Sequence, residues 1–228
     1  MNFTPEEQIE ILTEFMLPAR TERIEEVLSS RTQYLSVVLE NIYHPQNASA
    51  VVRSCECFGI QDLHIIEQKK KYRPNADVVR GASKWLNIRQ YSSTLDCINS
   101  LKKQGYKIAA TTLEGENIIP IEQIPIENPI AICFGTEDMG LTDELKNMAD
   151  FKVKIPMFGF TESFNISVAA AVCLYSISTR LRNSQQKNRD ISLNKELKDK
   201  LRLDWHKKCV KNADEILMHV EKKREKLK

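Results

Sequence analysis

Apolar positions along this chain follow two rhythms, one helical and one of short runs. Thr4-Pro5-Glu6-Glu7 supplies an N-cap, a proline in the first turn and a capping glutamate, which predicts a helix from about Pro5 to Met16. A shorter helix is expected after Pro18, from roughly Thr21 to Ser29. From Leu35 onward, runs rich in valine and isoleucine alternate with segments of helical period. The runs predict strands at Leu35–Leu39, Asp62–Ile66, Leu86–Tyr91, Lys107–Leu113, Ile130–Gly135 and Phe151–Ile155. Between them fall predicted helices at Gln46–Phe58, stopped by Gly59, at Thr94–Gln104, stopped by Gly105, at Thr142–Ala149, and from Glu162 to about Arg182. Such alternation specifies an α/β domain, a parallel sheet covered by helices on both faces, over residues 35–182. Residues 1–34 form an N-terminal helical extension in this reading, and residues 183–228 a linker (Asn183–Arg189) followed by a basic helical extension. In that tail Leu197, Leu201, Trp205, Val210 and Leu217 make an apolar stripe. No internal repeat is evident.

Composition narrows the class. With 228 residues and 42% hydrophobic positions the chain can fill a core, and 33 basic against 31 acidic residues exclude both a polycation and an acidic disordered tail. The charge is uneven, however: residues 195–228 carry a net +5 and the remainder −3. The longest apolar run, Val168 to Tyr175, is far shorter than the ~20 residues of a membrane-spanning helix. Glu6, Glu7, Glu10 and Glu14 stand where a signal peptide would be basic and then apolar, so a cytoplasmic protein without a membrane partner is expected. The six cysteines include no CxxC pair. Cys55 and Cys57, two apart on a predicted helix, face different directions, so buried thiols and no metal site are expected.

Three segments carry candidate chemistry. Phe134-Gly135-Thr136-Glu137-Asp138-Met139-Gly140-Leu141-Thr142 has the glycine spacing of a phosphate loop, but Leu141 replaces its lysine, and Glu137 and Asp138 would repel phosphate. A turn capping the next helix would explain the glycines and Thr142. It would not explain two acids at the carboxyl end of a parallel strand, where α/β sheets bind ligands. The second segment runs from Ile155 to Ala171 and places Phe158, Phe160 and Phe164 around one turn beside Ser163, Asn165 and Ser167; apolar walls with a few polar groups suit a small-ligand pocket. Ser167 and the alanines after it read as cap and close packing. In the third segment, His44 to Arg53, Asn47 reads by default as a helix cap, while Arg53 stands among Ala50, Val51 and Val52 and calls for a carboxylate or phosphate.

Taken in order, these segments resemble the three signature motifs of the SpoU family of RNA ribose 2′-O-methyltransferases, whose knotted fold is called SPOUT. Motif one is Asn47-x-x-Ala50-x-x-Arg53, motif two Gly135-x-Glu137-x-x-Gly140-Leu141, and motif three Ile155-Pro156-Met157-x-Gly159 through Ser163-x-Asn165-x-Ser167-x-Ala169. The likeness extends to residues 19–28, to Leu39-Glu40-Asn41 and to Gly81-Ala82-Ser83-Lys84-Trp85, where it is similar to the branch that methylates guanosine 18 in the D-loop of tRNA. It covers about Arg20 to Arg182, with a looser C-terminus.

The resemblance implies a C-terminal trefoil knot, a homodimer, and S-adenosylmethionine as cofactor, with S-adenosylhomocysteine as product. It places the cofactor against Thr111, Leu113, Gly135, Ile155, Met157 and Phe164. The catalytic set it implies is Arg53, Asn47, Glu137, Ser163 and Asn165. Because a guanidinium stays protonated, Arg53 is expected to steady a developing alkoxide or a nearby phosphate, and the destination of the proton is left open. Arg20, Arg23, Arg31, Lys84, Arg180 and Arg182 are the expected RNA contacts. The Lys69–Arg73 run joins them or is a solvated basic turn. Arg180 and Arg182 sit about one residue away from the family's basic pair. The same chemistry on 23S ribosomal RNA is the alternative, and a catalytically silent RNA-binding protein on the same scaffold is a more distant one.

Overall fold

The computed structural model describes residues 3–42, 44–67, 81–185 and 190–225. The Lys69–Arg73 run and the end of the expected linker, Gln186 to Arg189, lie outside them. The described chain divides into two compact units, residues 32–191 and a second made of residues 1–31 with 192–228. The two terminal stretches, expected as separate extensions, thus belong to one unit.

The larger unit is a seven-stranded, all-parallel sheet. Its strands are β1 (Leu35–Glu40), β2 (Asp62–Ile66), β3 (Asn87–Tyr91), β4 (Lys107–Thr111), β5 (Ile118–Pro120), β6 (Ile130–Phe134) and β7 (Phe151–Lys154), in the spatial order β3-β2-β1-β6-β4-β7-β5. The central strands β1, β2 and β6 are buried along their whole length, as a sheet covered on both faces requires. The helices of this unit are α3 (Pro45–Cys57), α4 (Thr94–Lys103), α5 (Asp143–Met148) and α6 (Ile166–Gln185). Side chains alternate between two cores. Leu35, Val37, Leu39, Ile130, Ile132 and Phe134 point to the face covered by Val51, Val52, Leu174 and Ile177 of α3 and α6. Val38, Ala131, Cys133, Ile108 and Ala110 point to the face covered by Ile98, Leu101 and Leu145 of α4 and α5.

Five of the expected strands agree with the structure to within two residues, and the Asp62–Ile66 strand matches at both ends. Gly59 and Gly105 follow α3 and α4 at positive φ (72° and 86°), the left-handed turn that ends a helix cheaply only at glycine. Two differences have physical causes. Strand β5 escapes the pattern because it is three residues long, ends in proline and follows the left-handed Gly115 and Asn117. Helix α6 starts at Ile166 and not at Glu162, because Asn165 caps it: its Oδ1 accepts from the Ser167 N–H and its carbonyl from Ala169.

The smaller unit contains α1 (Pro5–Thr13), α2 (Pro18–Ser30), α7 (Lys195–Cys209) and α8 (Ala213–Glu225). Thr4 and Glu7 form the reciprocal capping box of α1. Ile11 and Leu12 pack with Val210, Ala213 and Leu217, while Leu201 and Trp205 are buried as the tail stripe predicts. Arg202 grips Glu25 through two bonds (2.6 and 2.9 Å) and also reaches Asp199 at 2.6 Å. None of the helices searched is long and apolar enough to cross a membrane.

Candidate functional site

Adjacent strands β6, β4 and β7 end at one place, and the segments leaving their carboxyl ends line a cleft of about 350 Å³. Thr111 and Leu113 come from the end of β4, Gly135 from β6, Ile155 and Met157 from β7, and Phe164 from the approach to α6. All six residues expected at the cofactor therefore face one cavity. Glu137 and Ser163 line it too, and Cys173 forms part of its floor, its thiol pushed up to about 12 by burial and hence neutral.

Motif two owes its shape to a closed loop. Thr136 and Gly140 exchange backbone bonds (3.0 and 2.9 Å), and Thr136 Oγ1 accepts from the Met139 N–H at 3.1 Å. Gly135 is obligatory there, because a Cβ would lie 2.0 Å from the Gly140 carbonyl carbon. The loop holds Glu137, Asp138 and Met139 at its exposed tip.

The three motifs meet at Asn165. Its Nδ2 donates to Glu137 Oε1 at 2.5 Å and to Asn47 Oδ1 at 3.3 Å, while its Oδ1 holds Ser167. Asn47 is not the cap of α3: His44 occupies the cap position and Pro45 begins the helix. Asn47 instead lines a small depression that shares Thr136, Glu137 and Asp138 with the main cleft. Arg53 projects from the exposed side of α3, away from the buried Val51 and Val52 side, and has no ion-pair partner among the described residues.

Other expectations are corrected. Phe158 and Phe160 point outward, 98% and 108% exposed, and only Phe164 of that trio lines the cleft. Arg31 is 1% exposed, its guanidinium 5.3 Å from the Trp205 ring centroid, so it packs inside the smaller unit and offers no surface contact. Arg180 donates to the carbonyls of Ile121 (3.5 Å) and Ile124 (2.6 Å), and Arg182 to that of Phe58 (3.0 Å), so both brace α6. Arg20 and Arg23 are exposed, Arg23 in an i,i+3 pair with Glu26, and Lys84 is exposed over the Trp85 ring. Among the described residues no group of three or more His, Cys, Asp or Glu is placed to hold a metal. Sequence reasoning gave Glu40 no role; its only signal was the Leu39-Glu40-Asn41 likeness. Here it is a buried carboxylate bonded to Thr94 and Thr142.

A parallel sheet with a ligand cleft at three strand ends, built by segments far apart in the chain, defines a class of α/β protein that binds a small molecule beside an exposed polar surface. Residues 34–175 match the SpoU rRNA Methylase family. A Borreliella burgdorferi protein named tRNA (guanosine(18)-2′-O)-methyltransferase is 45% identical over 205 residues, spanning 90% of this chain and 92% of that protein. One of the same name from Thermus thermophilus is 34% identical over 83% of this chain and 97% of its own length. The crystal structure of an A. aeolicus TrmH/SpoU tRNA modifying enzyme superposes with a TM-score of 0.76 at 29% identity, covering 85% of this chain and 98% of that one. The chain belongs to the SpoU methylase family.

Proposed function

We propose that this protein transfers a methyl group from S-adenosylmethionine to the ribose 2′-hydroxyl of guanosine 18 in the D-loop of tRNA. The observation that carries the reading is the junction at Asn165, which ties motif one to motif two at the edge of a cleft lined by all six expected cofactor residues. The similarity to proteins named for this activity, over nine tenths of this chain in one case, supports the substrate.

The cleft suits the cofactor chemically. Leu113, Leu141, Ile155, Met157 and Phe164 give apolar walls for an adenine ring, and strand-end backbone gives polar edges. Glu114, Glu137 and Asp138 supply negative charge for a cation, and Lys146 and Lys154 on the same lining supply positive charge for a carboxylate. When bound, S-adenosylmethionine supplies a methyl group on an activated sulfonium. The protein's task is then to align the 2′-oxygen and assist loss of its proton. Asn165 holds Glu137 and Asn47 in register, Ser163 stands at the cleft wall, and Arg53, exposed and without an ion-pair partner among the described residues, is available to the developing alkoxide or the adjoining phosphate. Arg20, Arg23 and Lys84 are the exposed cations in this reading that meet RNA phosphates, which makes binding fall steeply with salt. The trefoil knot and a cytoplasmic location belong to the same reading.

A homodimer also belongs to it. Val168, Val172 and Tyr175 form an exposed apolar stripe along α6, which suits burial against a second copy. Light scattering at micromolar concentration should give twice the chain mass, and replacing Val172 with aspartate should shift it toward one.

The function is tested by incubating total RNA with labelled cofactor and mapping the labelled ribose. Label at guanosine 18 of tRNA is expected, and label in 23S ribosomal RNA alone would overturn the substrate. Arg53→Ala should abolish transfer with cofactor binding nearly intact; activity within about tenfold of wild type, less than the usual contribution of a group stabilising developing charge, would remove Arg53 from its role.

A further inference from the structure

We propose that Glu40 is a positioning residue for cofactor binding, acting through Thr142 to set the motif-two loop; this rests on the methyltransferase reading of the cleft. Glu40 ends β1 with its side chain on the α4/α5 face of the sheet, and it is only 1% exposed. A carboxylate so buried requires hydrogen-bond donors. It has three: the Thr94 hydroxyl at 2.7 Å and the Thr142 hydroxyl at 2.8 Å both donate to Oε1, and the Thr142 N–H donates to Oε2 at 2.8 Å.

Thr142 is the N-cap of α5, its Oγ1 also accepting from the Leu145 N–H at 3.2 Å. Its hydroxyl thus gives its one proton to Glu40 and a lone pair to the helix, and its backbone N–H is fixed by the same carboxylate. Every residue from Gly135 to Leu141 lines the cleft. That loop is anchored at one end by β6 and closed on itself at Thr136–Gly140; Glu40 anchors the other end. Glu40 does not line the cleft itself, so its influence passes through Thr142.

The test compares cofactor affinity by calorimetry, with KM and kcat, in Glu40→Gln and in a control, Asp62→Asn. Asp62 is likewise buried and bonded by Gln33 and Asn87, but it begins β2, at the opposite ends of the strands from the cleft. A glutamine cannot accept all three bonds. Glu40→Gln is expected to weaken S-adenosylmethionine binding about tenfold, the scale of one lost charged hydrogen bond, and to raise the cofactor KM more than it lowers kcat. Asp62→Asn should lower thermal stability and leave cofactor affinity unchanged. Equal affinity in Glu40→Gln and wild type, or equal weakening in both variants, would overturn the proposal. If Glu40→Gln does not fold, Thr142→Val and Thr142→Ser carry the question: serine should restore the affinity that valine loses, and equal affinities would overturn it. A wild-type chain that binds no cofactor would overturn the reading of the cleft and the assignment of Glu40 with it, an outcome distinct from a failure confined to the variants.

Discussion

Asn165 and Asn47 stand 118 residues apart in the chain, yet the amide of one donates to the amide of the other at 3.3 Å while also donating to Glu137 at 2.5 Å. The two bonds differ in kind. The Asn47 bond joins two neutral groups, whereas the Glu137 bond meets a carboxylate, and bonds to charged groups contribute about twice as much. Replacing Asn165 with alanine should slow methyl transfer by about tenfold to a hundredfold, and replacing Asn47 should cost less. Single-turnover rates on a tRNA transcript would check the order; a larger loss at Asn47 would show that this residue acts on the substrate directly.

Gly135→Ala should close the cofactor out. The new methyl would lie 2.0 Å from the Gly140 carbonyl carbon and 2.1 Å from its oxygen, so the loop must open. Overpacking of backbone against backbone costs on the order of 3 kcal/mol. Equilibrium binding of the cofactor would report it, with circular dichroism expected to show an intact sheet.

Much of the sheet is legible in the sequence because buried parallel strands are short valine and isoleucine runs with glycine stops, as at Asp62–Ile66 and after Phe58. The cleft residues are legible as motifs for a different reason: Gly135 has no room for a Cβ against Gly140, and Asn165 caps α6 with its side chain, demands that few residues meet. Side-chain direction is not encoded in that way. Nothing local distinguishes Phe164, which lines the cleft, from Phe160, which faces solvent, nor Arg23 on the surface from Arg31 beneath Trp205. Burial of Arg31 depends on an aromatic ring that the chain supplies only at position 205.

The arginines of the N-terminal helices should therefore separate in experiment. Arg31→Ala removes a desolvated cation–π contact and its packing, which should destabilise the smaller unit by roughly 2 kcal/mol in urea denaturation. Replacing Arg20 and Arg23 together should leave stability within about 0.5 kcal/mol of wild type and weaken tRNA binding, with a shallower salt dependence.

His64 on β2 supplies a pH dependence. Burial pushes its pKa down from 6.5 to about 4, Asp62 opposing and Arg89 reinforcing the shift, and Tyr91 stacks on the ring with its hydroxyl 3.2 Å from Nδ1. The unfolded chain therefore takes up this proton at higher pH than the folded one. Stability from this group is present above pH 6.5 and is lost as pH falls toward 4, by about 3 kcal/mol in all. His64→Phe keeps a ring in place and should flatten the stability profile across that window, measured by urea denaturation at successive pH values.

The spatial order of the strands bears on how the chain comes off the ribosome. β6 lies between β1 and β4, and β7 lies on the far side of β4, so the cleft draws on strand ends near residues 111, 134 and 154 and on the start of α6. A nascent chain that has emerged only as far as residue 150 can pair β1, β2, β3, β4 and β6, but it lacks the cleft wall formed by Ile155, Met157 and Phe164. Cofactor capture is thus a late event in synthesis, and a polypeptide stalled before Ile155 emerges can hold most of a sheet without a complete cleft.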